Sequence, residues 1–232
     1  MNVTYYNDLE QGSKLWLEAR LGIITASQVS RMVTPTGKLA DNNDSRSIVY
    51  EKVAERITGR VGDLFSNHYM EMGNLYEPFA RDLYSKERAQ VTETGFIVRQ
   101  FDGYKIGYSP DGLVGEDGLI EIKVFARQKH IKEICQNKPP AEYMMQMQTG
   151  MLVTGRKWCD YVTYNNGMKM RITRVLPDQR LHDLIVEAAS ILEQAINHNI
   201  ELYNTNTIDM PLSPYFENAE GGDEDDQFFG NN

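Results

Sequence analysis

The chain predicts a mixed α/β fold, a central mixed sheet flanked by helices, and three observations carry that expectation. Apolar residues recur at helical spacing in several long segments. They alternate with polar residues in short segments that lie between the long ones rather than apart from them. The length of 232 residues with 41% hydrophobic content suits one sizeable core. We expect a single domain over residues 1–200 and an acidic, unstructured tail over 201–232.

Composition narrows the class. All 24 Lys and Arg lie at or before Arg180, whereas residues 181–232 hold 11 of the 33 acids, so the net −9 belongs to the carboxy-terminal part and residues 1–180 stand near +2. An acidic total therefore does not exclude a polyanionic substrate. Two cysteines, Cys135 and Cys159, exclude a disulfide framework and a four-cysteine metal site. No apolar run approaches the ~20 residues that span a bilayer, so we expect no membrane association and a cytoplasmic location.

Taken in order, Ser13 is a fair cap for a short helix over Lys14 to Arg20, which Gly22 ends. Thr25 can cap a second helix beginning at Ala26 and Ser27. Free N–H groups at that start, with Arg20 nearby, suit a phosphate, although a plain cap and a surface arginine explain the same residues. Thr34 to Ser45 reads as a loop carrying Lys38. Asp44 opens a helix to about Thr58, and a longer helix from about His68 to Arg88 contains Glu77, with Gly73 one turn earlier and Pro78 next to it.

Gln90 to Arg99, Tyr104 to Tyr108 and Leu119 to Val124 read as three strands meeting near Asp111. A basic helix over 126–137 follows, with Arg127, Lys129, His130 and Lys132 on or near one face. Pro139-Pro140 precedes a methionine-rich helix over Ala141 to Val153 with Tyr143 and Gln146 on one face. Asn165-Asn166-Gly167 is a hairpin signal between strands Lys157 to Tyr164 and Lys169 to Leu176. A last helix runs from Pro177-Asp178 to about Asn199, and the acidic run from Gly221 ends in Phe228-Phe229.

The chemistry gathers in Tyr108 to Val124. On the strand Leu119 to Val124, Glu121 and Lys123 share one face, while Ile120, Ile122 and Val124 point into the protein. A strand ending at Asp111 can bring its carboxylate beside Glu121. Two facing carboxylates repel unless protons or a hard cation such as Mg²⁺ or Mn²⁺ offset the charge. The plainer reading is a hairpin with a polar outer face. Pro110-Asp111, nine intervening residues, then Glu121-Ile122-Lys123 is the spacing of the PD-(D/E)XK nuclease motif. Such a site would place metal on Asp111, Glu121 and the Ile122 carbonyl, with Lys123 steadying the attacking hydroxide.

A closer resemblance covers residues 10 to 190. Trp16, Arg20-Leu21-Gly22-Ile23-Ile24-Thr25-Ala26-Ser27, Gly73-Asn74-Leu75-Tyr76-Glu77, Ser109-Pro110-Asp111-Gly112-Leu113, Glu121-Ile122-Lys123 and Tyr143 to Gln148 occur in the order of the motifs of phage lambda exonuclease and its YqaJ-like viral recombinase relatives. The resemblance implies a restriction-endonuclease-like core. It also implies a magnesium-dependent exonuclease with two ions, Mn²⁺ being a possible substitute. Such an enzyme degrades the 5′-ended strand of linear duplex DNA, works as a homotrimeric ring in the host cytoplasm, and leaves 3′ overhangs for a single-strand annealing protein. By position it implies that Asp111, Glu121, Glu77 and the Ile122 carbonyl serve the metals and Lys123 is the catalytic lysine. Gln146 matches the late glutamine, Arg20 and Ser27 the 5′-phosphate pocket, and Met70 an apolar wedge. Lys38, Arg127 and Tyr143 are further candidates for DNA contact. At Thr36 the family has more basic character. Two alternatives stay open at this point: a site- or structure-specific endonuclease of the same superfamily, and a non-catalytic protein that binds DNA ends.

Overall fold

The computed structural model describes residues 2–34, 38–61, 68–136 and 138–214, with the side chains of 68–71 left aside. The elements run β1 (Val3–Tyr6), α1 (Lys14–Arg20), β2 (Ile24–Thr25), α2 (Ala26–Met32), α3 (Asn43–Thr58), α4 (His68–Glu87), β3 (Val91–Thr92), β4 (Phe96–Gln100) and β5 (Lys105–Tyr108). They continue as β6 (Gly112–Val114), β7 (Gly118–Val124), α5 (Arg127–Gln136), α6 (Ala141–Thr154), β8 (Trp158–Tyr164), β9 (Arg171–Val175) and α7 (Gln179–Asn206).

The architecture is the expected mixed α/β, but the strands form two sheets. One has the order β1-β4-β5-β2 and the other β3-β6-β7-β8-β9. Each is mixed: β2 pairs parallel with β5, and β7 parallel with β8 through the α5–α6 crossover, the remaining pairs being antiparallel. The segment read as one strand over 90–99 is divided, β3 going to one sheet and β4 to the other. The chain crosses between sheets at Thr94-Gly95 and again at Ser109-Pro110-Asp111. Gly95 is needed at the first crossing, because a Cβ there would lie 2.0 Å from the Leu9 carbonyl oxygen. Pro110 at the second has no N–H for a ladder. The amino-terminal lead ties the two crossings together: Gln11 Nε2 donates to Thr94 O (3.4 Å) and Pro110 O (3.0 Å). Trp16 Nε1 donates to Gly95 O (3.1 Å) and Ser109 Oγ (3.0 Å).

Two apolar clusters follow from this division. The larger joins Ile24, Val29, Ile97, Ile106, Leu119, Met147, Met151 and Ile185, and the smaller joins Ala80, Tyr84, Val91, Ile120, Ile122 and Val162. Strand β7 feeds both, Leu119 to the first and Ile120 and Ile122 to the second. Its polar face is therefore not a solvent face: Glu121 is 0% exposed. Ala80 and Tyr84 of α4 cluster with Ile120 and Ile122 on one face of β7, and Met147 and Met151 of α6 with Leu119 on the other, so helices cover both faces and the plainer reading of a polar outer face does not hold.

Several local expectations need adjustment. Helix α3 is capped by Asn42, whose Oδ1 accepts from Ser45 N (2.9 Å), and not by Asp44. His130 is buried, its Nε2 2.9 Å from Lys169 O, so it does not belong to the exposed basic face of α5. Helix α7 continues to Asn206, past the expected end near Asn199. Thr36 and the acidic run from Gly221 lie outside the described residues. The caps at Ser13, Thr25 and Asp178 and the turn at Asn165 to Gly167, with Gly167 at φ +85°, are as read.

Candidate active site

The β6–β7 hairpin sets the centre. Its register, Gly112 opposite Ile120, turns the residue just before β6 toward the middle of β7. Asp111 Oδ2 there accepts from Ile122 N at 2.5 Å. Two positions along the same face of β7, Lys123 Nζ reaches Glu121 Oε1 at 2.6 Å, and Tyr108 Oη donates to Glu121 Oε2 at 3.2 Å. From α4, Glu77 receives Arg81 Nη2 at 2.5 Å, one helical turn apart. Arg81 also donates from Nε to Asp111 O (2.8 Å) and pairs with Glu93 through Nη1 (2.7 Å). One guanidinium thus binds α4, the sheet crossing and the β3–β4 connection together.

The electrostatics are those of negative charge held away from water. Burial first, and then the charges of Glu121 and Glu77, hold the Asp111 carboxyl well above the usual carboxylate range, against the pull of Lys123 and the Ile122 N–H. Glu77 is raised for the same leading reason, with Glu121 adding to it and Arg81 opposing. Lys123 moves up from its ordinary value: burial favours the neutral amine, but Glu121 and Asp111 outweigh it. The lysine is therefore an ammonium at neutral pH, a donor and not a base.

Does this set suit a divalent cation? Among the described residues, no group of three His, Cys, Asp or Glu side chains stands in metal-holding geometry, and Glu77 is paired with Arg81. Mg²⁺, however, commonly takes one or two protein carboxylates and completes its shell with water and substrate oxygens. Asp111 and Glu121 supply two hard oxygen donors whose mutual repulsion a cation relieves, so the residues fit the ion. The contact that joins Ile122 to Asp111 is through its N–H.

A second grouping lies along the same run of chain. The Arg20 guanidinium sits 3.9 Å over the Trp16 ring and 5.6 Å from that of Phe96, and its Nη1 donates to Ser109 Oγ at 3.2 Å. Burial lowers its pKa to about 10, with Glu55 and Glu51 offsetting part of the loss, and it stays charged at neutral pH. Ser109 therefore accepts from both Trp16 and Arg20. Ser27 is exposed at the start of α2, its Oγ 3.2 Å from Thr25 Oγ1, and among the described residues no hydrogen bond joins it to Arg20.

Tyr143 lies beside the catalytic lysine candidate, with Lys123 Nζ 5.2 Å from its ring centroid. Its ring packs between those of Phe125 (6.0 Å) and Tyr161 (5.9 Å), and its hydroxyl is 3.0 Å from Lys129 Nζ. Gln146, one turn on, is half-buried and makes no side-chain hydrogen bond among the described residues. Gln148 is instead a structural residue, bonded to Leu176 O and Asp178 N, both at 2.9 Å. Lys38 and Arg127 are exposed and make no side-chain contact with the Asp111–Glu121 cluster. Met70 belongs to α4, but its side chain lies outside the described residues.

The structure thus brings together Glu77, Asp111, Glu121, Ile122, Lys123 and Tyr143, and adds Arg81, Tyr108 and Ser109, to which sequence reading gave no role. Arg81 had a legible signal in its i,i+4 spacing from Glu77. Tyr108 had none, since thirteen residues separate it from Glu121.

Compared with known proteins, residues 15–157 match the model of the YqaJ-like viral recombinase domain. The chain is similar in structure to an alkaline exonuclease (LHK-Exo) from Laribacter hongkongensis, with 34% identity and a TM-score of 0.76, over 86% of this chain and 100% of that one. A complex of LHK-Exo with dAMP gives 35% identity and a TM-score of 0.74 with the same coverage. A phage related exonuclease from Haemophilus somnus 129PT shares the fold at 17% identity and a TM-score of 0.61, over 78% of this chain and 96% of that one. No curated protein matches significantly. The family match spans Arg20, Ser27, Glu77, Arg81, Tyr108, Ser109, Asp111, Glu121, Lys123 and Tyr143.

Proposed function

The chain belongs to the YqaJ-like viral recombinase family and is a DNA exonuclease, and from that premise we propose that it removes 5′-nucleotides, with a divalent metal, from the 5′-ended strand of linear duplex DNA. The 3′ overhang left behind would serve recombination by strand annealing. The observation that carries this reading is the placement of Arg20, through Ser109, two residues from Asp111. A terminal phosphate on Arg20 would thus be held by the same short run of chain, Ser109 to Asp111, that carries one of the two site carboxylates. The relative's complex with dAMP, a deoxyribonucleoside monophosphate, supports a mononucleotide as the product class.

Each residue has a task in this scheme. Asp111 and Glu121, with Glu77 nearby and the Ile122 carbonyl, would hold Mg²⁺, two ions being the family expectation and Mn²⁺ a substitute. When bound, the metal supplies charge neutralisation and a lower pKa for water. Lys123 directs one N–H at Glu121 and keeps the others for hydrogen bonds to the attacking oxygen or to the charge that builds on the phosphoryl group. Tyr108 holds the buried Glu121 carboxylate in place, and Arg81 holds Glu77 and the Asp111 main chain. Arg20 and Ser27 take the 5′ phosphate. Gln146 is carried as a further catalytic residue and Met70 as the apolar wedge on the resemblance alone, while Tyr143, Lys38 and Arg127 serve as contacts around the substrate strand, Arg127 from the basic run that follows Lys123. A homotrimeric ring and an annealing-protein partner are proposed on the same ground. No helix among the described residues is long and apolar enough to cross a membrane.

The test is digestion of linear duplex DNA, with and without a 5′ phosphate, beside covalently closed circles, in Mg²⁺ and in EDTA. Metal-dependent loss of the 5′-ended strand from linear DNA alone is the expected result. Cutting of circles would replace the reading with an endonuclease, and end binding without cutting would replace it with a recruitment protein.

A further inference from the structure

Behind Arg20 lies a buried charged network that the hydrolytic scheme does not use. Glu55 and Lys52 on α3 are 5% and 4% exposed. Lys52 Nζ reaches both Glu55 carboxylate oxygens (2.8 and 2.9 Å) and Glu51 Oε1 (3.2 Å). Glu55 Oε2 also accepts from Gly22 N at 2.7 Å. Opposite it, Arg56 donates from Nε (3.0 Å) and Nη2 (2.8 Å) to Gly22 O, while its Nη1 and Nη2 clasp the Glu193 carboxylate on α7 (2.7 and 2.8 Å). Both polar groups of one peptide-bearing residue are thus gripped by neighbouring side chains of a single helix. Gly22 itself has φ +66°, and a Cβ on it would lie 2.8 Å from Arg56 Cγ.

Burying an acid and an ammonium, Glu55 and Lys52, costs stability unless each is paired, and pairing alone needs no contact to Gly22. The network continues to the other side of the pocket. Glu51 Oε1 accepts from Gln28 Nε2 (2.6 Å), and Gln28 Oε1 accepts from Thr25 N and Thr25 Oγ1 (both 3.1 Å), next to Ser27. Helix α3 therefore frames the main chain from Arg20 to Ser27 at both ends. Two carboxylates so close to a phosphate site oppose phosphate binding by charge, so their contribution there is geometric.

We infer that Glu55 is a positioning residue for recognition of the DNA 5′ end: by holding the Gly22 N–H it fixes the turn that aims Arg20 at the terminal phosphate. The inference rests on the end-binding reading of Arg20 given above. Its reach and its charge separate cleanly. Glu55→Gln keeps the length and an acceptor oxygen but loses the charge, whereas Glu55→Asp keeps the charge and shortens the reach by one methylene.

The experiment measures kcat/KM on 5′-phosphorylated and 5′-hydroxyl linear duplexes for each variant. Both substrates are assayed on one preparation, so the fraction of folded enzyme cancels in the ratio. Glu55→Asp is expected to lower the phosphate preference by about tenfold or more, the scale of losing one hydrogen bond to a charged group, through KM on phosphorylated ends with kcat kept. Glu55→Gln is expected to keep the preference. A wild-type ratio near one would refute the end-binding reading itself. With a wild-type preference established, retention of the ratio by Glu55→Asp, or its loss in Glu55→Gln, overturns the positioning role. Should Glu55→Asp fail to fold, Gly22→Ala disturbs the same turn from the other side and is expected to lose the preference, and its keeping the preference overturns the inference equally.

Discussion

Lys123 Nζ lies 2.6 Å from Glu121 Oε1, and that glutamate is wholly buried. The pair is an ion pair between residues two apart on one strand, closed off from water on the carboxylate side and half-open on the lysine side. A charge so placed cannot be rescued by solvent. Lys123→Ala is expected to lower kcat by about 10²–10³, the usual effect of removing one donor aimed at developing charge, with binding of DNA ends kept. Single-turnover cleavage beside end binding in EDTA checks this, and loss of binding with cleavage intact would reassign the lysine.

Metal-free stability should depend on pH through Asp111. Its folded pKa is raised above that of the unfolded chain, so its contribution is present at low pH and is lost as pH rises through the folded value. Asp111→Asn mimics the protonated form. In EDTA above neutral pH the variant is expected to melt higher than the wild type, by about 2–4 °C for each 1 kcal/mol relieved in a chain of this size. The gain should vanish toward acid pH. Added Mg²⁺ is expected to raise the wild-type melting temperature and to leave that of the variant nearly unchanged.

Arg81 touches Glu77, Glu93 and the Asp111 carbonyl, three partners of which only Glu77 is signalled by spacing along the chain. Arg81→Leu should lower activity by about 10- to 100-fold, the range for outer-shell partners of metal-site residues. A rise in the Mg²⁺ concentration needed for half-maximal rate would accompany the loss. An unchanged metal dependence would confine Arg81 to holding the fold.

Gly150 on α6 faces the Tyr108 ring, and a Cβ there would stand 2.7 Å from Tyr108 Cε1 and Cζ. Since Tyr108 Oη donates to Glu121, Gly150→Ala should displace that support. Overpacking of this kind costs about 1–3 kcal/mol, read by denaturant unfolding. The drop in kcat should be matched by Tyr108→Phe, which removes the hydroxyl without the clash.

Much of the site was legible because its parts are local. Asp111, Glu121 and Lys123 are joined by one hairpin, and the alternation of β7 places the last two on one face whatever the rest of the chain does. Caps at Ser13, Thr25 and Asp178 were readable for the same reason, each being a contact across two or three residues. The Arg20 to Ser27 pocket was suggested by a helix start and by resemblance, but its link to the Asp111 region was not, since that runs through Ser109, eighty-nine positions away from Arg20.

By itself, then, the sequence determined the order of the helices and of the longer strands, the carboxylate–lysine row and the family to which it belongs, because periodicity, capping and short motifs act within a few residues, whereas the short strands β1, β2 and β6 escaped it. Only the tertiary structure decided that the strands split into two sheets at Gly95 and Pro110, since that depends on Leu9, Gln11 and Trp16 crossing both breaks. It also decided that Glu121 is buried, that His130 leaves the basic face, and that Arg81, Tyr108 and Glu55 stand behind the site. Burial and pairing between distant segments are set by how whole elements pack, and no local pattern encodes which neighbour will arrive.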